Sequence, residues 1–121
     1  MLKSRKQIGI LGEKLALKQL RRQGYHILET NFRCRDGEID IIARDKEYLV
    51  FIEVRTRTSS GFGTPEESVG IAKREKLVSL ALAYLQSHRN LPSLWRIDVM
   101  AVELDQEGHV SRMELIQNAI S

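Results

Sequence analysis

The sequence is poor in cysteine, proline and aromatic residues, and it has no long apolar run. Its 121 residues include one Cys, two Pro and one Trp, and only 6% are aromatic. The single cysteine, Cys34, excludes an internal disulfide and there is no CxxC pair, which favours a reducing, cytoplasmic setting. No apolar stretch could span a bilayer, and the basic N-terminus lacks the apolar segment of a signal peptide, so no membrane association is expected.

Signatures of common cofactor sites are also missing. The three histidines, His26, His88 and His109, lie far apart in the chain and lack zinc-ligand spacing. No glycine-rich phosphate loop of the Walker type is present. The hydrophobic content of 42% and charged content of 29% are typical of globular proteins. The length fits a single domain over residues 1–121.

The charge is unevenly distributed, although its net value is only +3. Residues 1–35 contain nine Lys/Arg and two Glu, a net charge of +7, and residues 36–121 contain ten Lys/Arg and fourteen Asp/Glu, a net charge of −4. A basic N-terminal part is compatible with a phosphate-rich partner such as DNA. Such a run is more often a solvated helix face, so charge alone does not establish a nucleic-acid partner.

Two segments have the features of helices. Residues 4–23 have helical apolar spacing and are followed by Gly24, which favours a helix end. The second helix is predicted to begin with Thr64 as its N-cap and to run to about residue 88. The apolar stripe of the first helix consists of Ile8, Leu11, Leu15, Ala16, Leu17 and Leu20.

Apolar runs separated by turn signals predict the strands. Strands are expected at residues 25–33, 38–44, 48–55, 95–103 and 110–116. The resulting order is αβββαββ. The helix between the third and fourth strands permits a parallel crossover, and the hairpins are antiparallel. The sequence therefore predicts an α/β fold, a central mixed β-sheet flanked by helices.

Two carboxylates stand in strands that are otherwise apolar. Asp40 has isoleucine on both sides, and Glu53 lies between Ile52 and Val54. A charge in a buried strand costs several kcal/mol unless it is paired or binds a metal. Strand alternation allows the Asp40 side chain to lie on a solvated face of the sheet. It disfavours such a position for the Glu53 side chain, because both faces of that strand are apolar.

Arg55 leaves the third strand on the same face as Glu53. This arrangement is compatible with a structural ion pair. It is also compatible with a catalytic site, in which two carboxylates bind a hard cation such as Mg²⁺ and a neighbouring cation stabilises charge on a phosphate. Spacing alone does not separate the two interpretations.

At this point the sequence resembles a known family. Residues 37–43, GEIDIIA, followed by residues 50–57, VFIEVRTR, are similar to the signature of the YraN family of small bacterial proteins. The resemblance covers nearly the whole chain and implies a restriction-endonuclease-like fold. Further matching positions are Gly12-Glu13, Gly24-Tyr25, Asn31-Phe32-Arg33, Phe62-Gly63, Lys73, Ala83-Tyr84-Leu85 and Arg96-Ile97-Asp98-Val99.

The wider superfamily implied by this resemblance is that of the PD-(D/E)xK nucleases, which includes Holliday-junction resolvases. Asp40 and Glu53 match the acids that bind Mg²⁺ or Mn²⁺, and the Val54 carbonyl is a further expected ligand. Glu13 matches an acid that some members contribute from the first helix. The resemblance also implies a DNA substrate and phosphodiester hydrolysis, and it makes a homodimer a reasonable expectation.

The sequence departs from the superfamily pattern at Arg55, where a lysine is usual. Arginine stays protonated and cannot act as a general base, although it can orient phosphate and stabilise charge. Lys73 on the second helix is either a replacement for the missing lysine or an ordinary surface lysine. Glu38 is either a supporting acid or a hairpin residue, and Glu13 is in itself typical of a solvated helix position.

Basic residues outside the acidic pair are candidates for contacts with nucleic acid, namely Lys14, Lys18, Arg33 and Arg57. Phe62, in a predicted loop, is a candidate for base stacking or for core packing. We expect a metal-dependent DNA endonuclease, with branched or damaged DNA as candidate substrates. The alternatives are a nucleic-acid-binding module of the same fold without turnover, and a protein-interaction or assembly factor.

Overall fold

The computed structural model describes residues 4–58 and 63–120 of the chain. The elements are α1 (Arg5–Arg22), β1 (His26–Cys34), β2 (Gly37–Asp45), β3 (Tyr48–Thr58), a 3-10 helix (Glu66–Ser68), α2 (Ile71–Ser87), β4 (Leu94–Leu104) and β5 (Val110–Ile120). They form an α/β structure with one five-stranded mixed sheet, as the sequence predicted. The predicted order of helices and strands is confirmed.

The strands lie in the sheet in the same order as in the chain, β1-β2-β3-β4-β5. Only the β3–β4 pair is parallel, because α2 connects these two strands as a crossover. The other neighbours are antiparallel. β3 is therefore the central strand, with a hairpin partner on one side and a crossover partner on the other.

The first helix begins and ends with the local signals that predicted it. Ser4 and Gln7 form a capping box at its start, and Gly24 adopts a positive φ of 90° just after its end. Its buried positions are Gly12, Ala16 and Leu20. Gly12 faces Thr56 of β3 so closely that a Cβ there would overlap the Thr56 side chain. The helix therefore packs directly onto the C-terminal part of β3.

The second helix begins later than predicted. The bonds expected of Thr64 and Glu67 do form, since the Thr64 amide and hydroxyl both donate to Glu67 Oε1 at 2.8 Å. They close a 3-10 turn rather than an α-helix, because Arg112 of β5 holds Glu66 at 2.7 Å and Val69 is buried in an extended conformation. The α-helix starts only after Gly70.

Two apolar clusters cover the two faces of the sheet. One lies under α2 and contains Leu49 and Phe51 of β3, and the other lies under α1 and contains Val50 and Ile52. The prediction that both faces of the third strand are covered is thus confirmed. Among the described helices, none combines the length and apolarity needed to cross a membrane.

A buried ion pair fixes the end of the sheet at which β4 begins. Arg96 Nε donates to Asp98 Oδ2 at 3.0 Å, and Asp98 is fully buried. Arg96 also donates to the Tyr25 hydroxyl at 2.9 Å, and the amide of Asn118 donates to Asp98 Oδ1 at 2.8 Å. The network connects the segment after α1 with β4 and β5.

We expect Asp98→Ala to lower the free energy of unfolding by about 3 kcal/mol, because it removes the buried carboxylate bonded to Arg96 Nε and leaves Arg96 with the longer contact to Asp45, at 3.3 Å. Urea denaturation at pH 7 measures this change. Glu107→Ala, which removes an exposed carboxylate in the turn between β4 and β5, is the control and should have little effect. A loss below about 1 kcal/mol for Asp98→Ala would contradict the structural role of the pair.

Candidate metal centre

The candidate site lies where the pairing of β2 with β3 stops. The last paired residues of this ladder are Ile41 and Ile52, and β3 then continues to Thr58 beside β4. Asp40 is the residue before Ile41, and its side chain accepts the hydrogen bond that a backbone carbonyl accepts in a regular ladder. The Val54 amide donates to Asp40 Oδ2 at 2.8 Å. This hydrogen bond holds the Asp40 carboxylate in the opening between the strands.

Glu53 reaches the same opening from β3 and is only 4% exposed. Its carboxyl lies beside that of Asp40, and the interaction between the two groups shifts the pKa of each. Burial, and next the Asp40 charge, raise the pKa of Glu53 to about 7. Burial likewise raises the pKa of Asp40, although its bond from the Val54 amide opposes the shift. The two carboxyls therefore resist being charged together and favour a shared proton.

Two cations approach the same oxygen of Glu53. Arg55 Nε lies 3.0 Å from Glu53 Oε2, and Lys73 Nζ of α2 lies 3.7 Å from it. The Arg55 contact is an ion pair without hydrogen-bond geometry, and the buried Arg55 Nε has no hydrogen-bond partner among the described residues. Lys73 is half-buried and forms an ion pair with Glu53, so it lies at the acidic pair, and its role as a replacement for the strand lysine stays a prediction.

The supporting acids predicted from the sequence also lie near this pair. Burial, followed by the charges of Asp40 and Glu38, raises the pKa of Glu13, which places α1 next to the site. Glu38 is partly exposed and lies 3.7 Å from Arg33. Within the part of the chain that the structure describes, no third His, Cys, Asp or Glu brings a ligand atom within 4.8 Å of both Asp40 and Glu53. Glu13 and Glu38 thus surround the pair without completing a three-residue cluster.

The basic residues predicted to contact nucleic acid lie on separate parts of the surface. Lys14 and Lys18 are on the exposed side of α1, and Arg33 is exposed near the β1–β2 hairpin. Arg57, predicted to lie in a loop, is instead part of β3, because the strand continues beside β4 to Thr58. Phe62 lies outside the described residues.

A groove of about 550 Å³ runs beside the C-terminal part of β3, next to the acidic pair. The residues that line it include Arg5 and Gly9 of α1 and Arg55, Thr56, Arg57 and Thr58 of β3. The sequence interpretation missed Arg5 and Gly9. The signal that could have indicated them is the glycine itself, since Gly9 lies inside a predicted helix, where glycine is unfavourable.

A second group of ligand-type side chains, Asp105, Glu107 and His109, lies in the turn between β4 and β5. Asp105 Oδ1 accepts hydrogen bonds from the amides of Glu107 and His109, at 2.9 and 2.8 Å. These bonds explain the cluster as a feature of the turn, and its side chains are largely solvated. It differs from the Asp40–Glu53 pair, in which burial is the dominant property.

Comparison with known proteins places these residues in a family. The model of "Uncharacterised protein family UPF0102" matches residues 12–102, a range that contains both acids and both cations of the site. A UPF0102 protein of Dehalococcoides mccartyi is 48% identical over 120 residues, which cover 99% of this chain and 98% of that protein. One of Moorella thermoacetica is 48% identical over 119 residues, covering 98% and 99% respectively. The chain therefore belongs to the UPF0102 (YraN) family.

Proposed function

We propose that this protein is a metal-dependent endonuclease that hydrolyses phosphodiester bonds in DNA, with a restriction-endonuclease-like fold and a site of the PD-(D/E)xK type. The observation that carries the proposal is the meeting of the buried Glu53 with the half-buried Asp40, whose carboxylate is held by the Val54 amide, while two cations approach Glu53. A purely structural ion-pair network does not require a second carboxylate, Asp40, next to that of Glu53. This excess of buried acid supports a metal-binding role.

The donor set fits a hard divalent cation. Asp40 and Glu53 offer carboxylate oxygens, and the Val54 carbonyl is the proposed further ligand. A cation bound here would take the place of the proton and offset the burial that raises both pKa values, together with the Asp40 charge that raises that of Glu53. Mg²⁺ commonly binds through one or two carboxylates and keeps several waters, so a site without a third carboxylate suits it. Mn²⁺ has a similar preference for oxygen ligands.

When bound, the cation supplies a Lewis acid for the phosphate and an activated water. The chain's own residues then have separate tasks. Arg55 is permanently charged and offers a fork of N–H donors, which suits stabilisation of a phosphate that gains negative charge. Lys73 supplies, from α2, the lysine that the third strand lacks. Lysine can exchange a proton and hold a water, whereas arginine cannot give one up. In the reaction, the oxygen of water would bond to phosphorus, one P–O ester bond of the backbone would break, and the leaving oxygen would take up the proton that the water loses, which gives a phosphate monoester and a hydroxyl end.

One specific observation favours the alternative of a binding module without turnover. Arg55 occupies the strand position at which the superfamily has lysine, and it already pairs with Glu53 at 3.0 Å. If Lys73 does not substitute for the strand lysine, the site binds metal and DNA but does not cleave. Metal binding is thus common to both candidates, and cleavage separates them.

We expect the native protein to cleave at least one of linear, nicked and four-way DNA in Mg²⁺ or Mn²⁺. Glu53→Gln should reduce the rate by about 10³-fold or more, and Lys73→Met by about 10²-fold, because each removes a charge that acts in the transition state. A gel assay under single-turnover conditions measures these rates. Glu75→Gln and Lys76→Met, which change exposed residues of the same helix, α2, are the matched controls.

Cleavage that survives Glu53→Gln at the native rate would refute the assignment of the site. Absence of cleavage by the native protein, together with Mn²⁺ binding that requires Asp40 and Glu53, would favour the binding module. Cleavage that is lost in Glu53→Gln and unchanged in Lys73→Met would remove Lys73 from the mechanism and leave Arg55 as the cation that acts.

The pair should also make stability depend on pH in the absence of metal. The pKa of Glu53 is raised to about 7 in the folded state, so its favourable contribution is complete below about pH 4.5 and is lost as the pH rises through 7. The loss is on the order of 2–3 kcal/mol. In EDTA, Glu53→Gln should therefore be more stable than the native protein at pH 8, with a smaller difference at pH 5.

Urea denaturation at the two pH values measures this difference, and Mn²⁺ provides an independent check. Saturating Mn²⁺ should raise the melting temperature of the native protein, because it binds only the folded state, and should leave Glu53→Gln unchanged. If the variant and the native protein had equal stability at both pH values, and Mn²⁺ shifted neither, the buried acidic pair would not be a metal site.

A further inference from the structure

One side of β3 lies open beyond the point at which β2 leaves it. The β2–β3 ladder ends at Ile52, and the β3–β4 ladder continues to Thr58. Successive residues of a strand direct their backbone groups to alternate sides, so Thr56 and Thr58 direct theirs to the same side as Val54, whose amide bonds to Asp40. An edge of backbone donors and acceptors therefore continues from the acidic pair into the adjacent groove.

The walls of this groove carry positive charge and hydroxyl groups. Arg5 of α1 and Arg55 and Arg57 of β3 line it together with Thr56 and Thr58. Three arginines are thus among the residues that line a cleft of about 550 Å³, and Arg55 also pairs with Glu53 at 3.0 Å. Arginine is suited to phosphate oxygens, which accept its paired N–H donors. None of the described lining residues is aromatic, so within this part of the chain the groove favours contacts with phosphate and sugar over base stacking.

Gly9 provides an independent indication that something approaches α1 here. Glycine inside a helix costs about 1 kcal/mol relative to alanine, so its presence calls for a reason. Gly12 has one, because a Cβ would overlap Thr56. Gly9 has no such reason among the described residues, since a Cβ there would meet none of their atoms within 4 Å. Gly9 lines the groove, where the lack of a side chain leaves room for a ligand to approach the helix backbone.

From these observations we infer that the groove between the start of α1 and the open edge of β3 binds the sugar-phosphate backbone of a single nucleic-acid strand. The inference rests on the proposed function, because the strand would continue from the phosphate held at Asp40 and Glu53. The substrate is then a DNA that has a single-stranded segment next to the cleavage site. Recognition is through the backbone and is independent of base sequence.

The size and chemistry of the groove favour this ligand over others. A cleft of about 550 Å³ is comparable to a small-molecule site, so it accommodates a short length of one strand, and a duplex would have to lie outside it. An extended acidic peptide is the other polyanion that an open strand edge could bind. The arginines lie close to a proposed phosphodiester-cleaving site, which favours the nucleic acid, and the peptide becomes an outcome of the test.

The test uses Gly9 substitutions, which should not harm folding. Gly9→Ala and Gly9→Leu both improve helix propensity, but only leucine fills the groove. Fluorescence anisotropy in EDTA, where no cleavage occurs, gives the affinity for a labelled oligo(dT) of about 12 nucleotides. We expect Gly9→Leu to weaken binding about tenfold or more and Gly9→Ala less than about threefold, with melting temperatures no lower than native. Arg5→Ala should weaken binding and reduce its salt dependence.

The same variants are measured with a blunt duplex and with a glutamate-rich peptide. Duplex affinity should change little in Gly9→Leu. The inference is overturned if Gly9→Leu binds oligo(dT) like the native protein, if duplex binding falls equally, or if the acidic peptide displaces the oligonucleotide from the native protein and loses affinity itself in Gly9→Leu.

The experiments give different results if the groove inference is wrong and if the nuclease proposal is wrong. If the native protein cleaves DNA with Mn²⁺ and Gly9→Leu cleaves tailed and blunt substrates at the native ratio, the groove inference fails and the nuclease stands. If the native protein cleaves nothing but binds oligo(dT) in a manner that depends on Gly9 and Arg5, the groove stands and the nuclease proposal fails.

Discussion

The hydrogen bond from the Val54 amide to the Asp40 carboxylate lies at the centre of the structure's functional geometry. In a regular sheet, the backbone of β2 would serve this amide. Here the β2–β3 ladder ends at Ile41 and Ile52, and a side chain satisfies the amide instead. The same substitution fixes Asp40 beside Glu53, opens the sheet between the two strands and exposes the edge of β3 that borders the groove.

In the absence of metal, the acidic site lowers the stability of the fold around it. Burial raises the pKa of both carboxyls, the Asp40 charge raises that of Glu53 further, and Lys73 and Arg55 offset only part of that shift. The surrounding structure tolerates this arrangement because the rest of β3 is covered on both faces by apolar clusters. The buried carboxylate of Asp98, at the other end of the sheet, differs from this pair in its partners. It accepts hydrogen bonds from Arg96 and from the amide of Asn118. Departures from the rules of stability concentrate at functional sites.

Much of the fold could be read from local patterns. The order of helices and strands, the capped start of α1 and the end of α1 at Gly24 all depend on residues close together in the chain. The start of α2 could not be read in this way. Thr64 and Glu67 do form a local hydrogen bond, but the contact of Glu66 with Arg112 and the burial of Val69 end the turn there. Arg57 was assigned to a loop for a similar reason: its strand is extended by pairing with β4, which is distant in sequence.

The sequence by itself determined the alternation of side chains that buries both faces of β3. It also determined that two acids stand in apolar strands, where a buried charge requires a partner or a metal. Only the tertiary structure decided that Lys73 of α2 and Glu13 of α1 join those acids, and that Arg5 and Gly9 line a groove beside them. The physical reason is that periodicity reports which face a residue occupies within its own element. Where two elements meet depends on close contacts such as that of Gly12 with Thr56, which no local pattern contains.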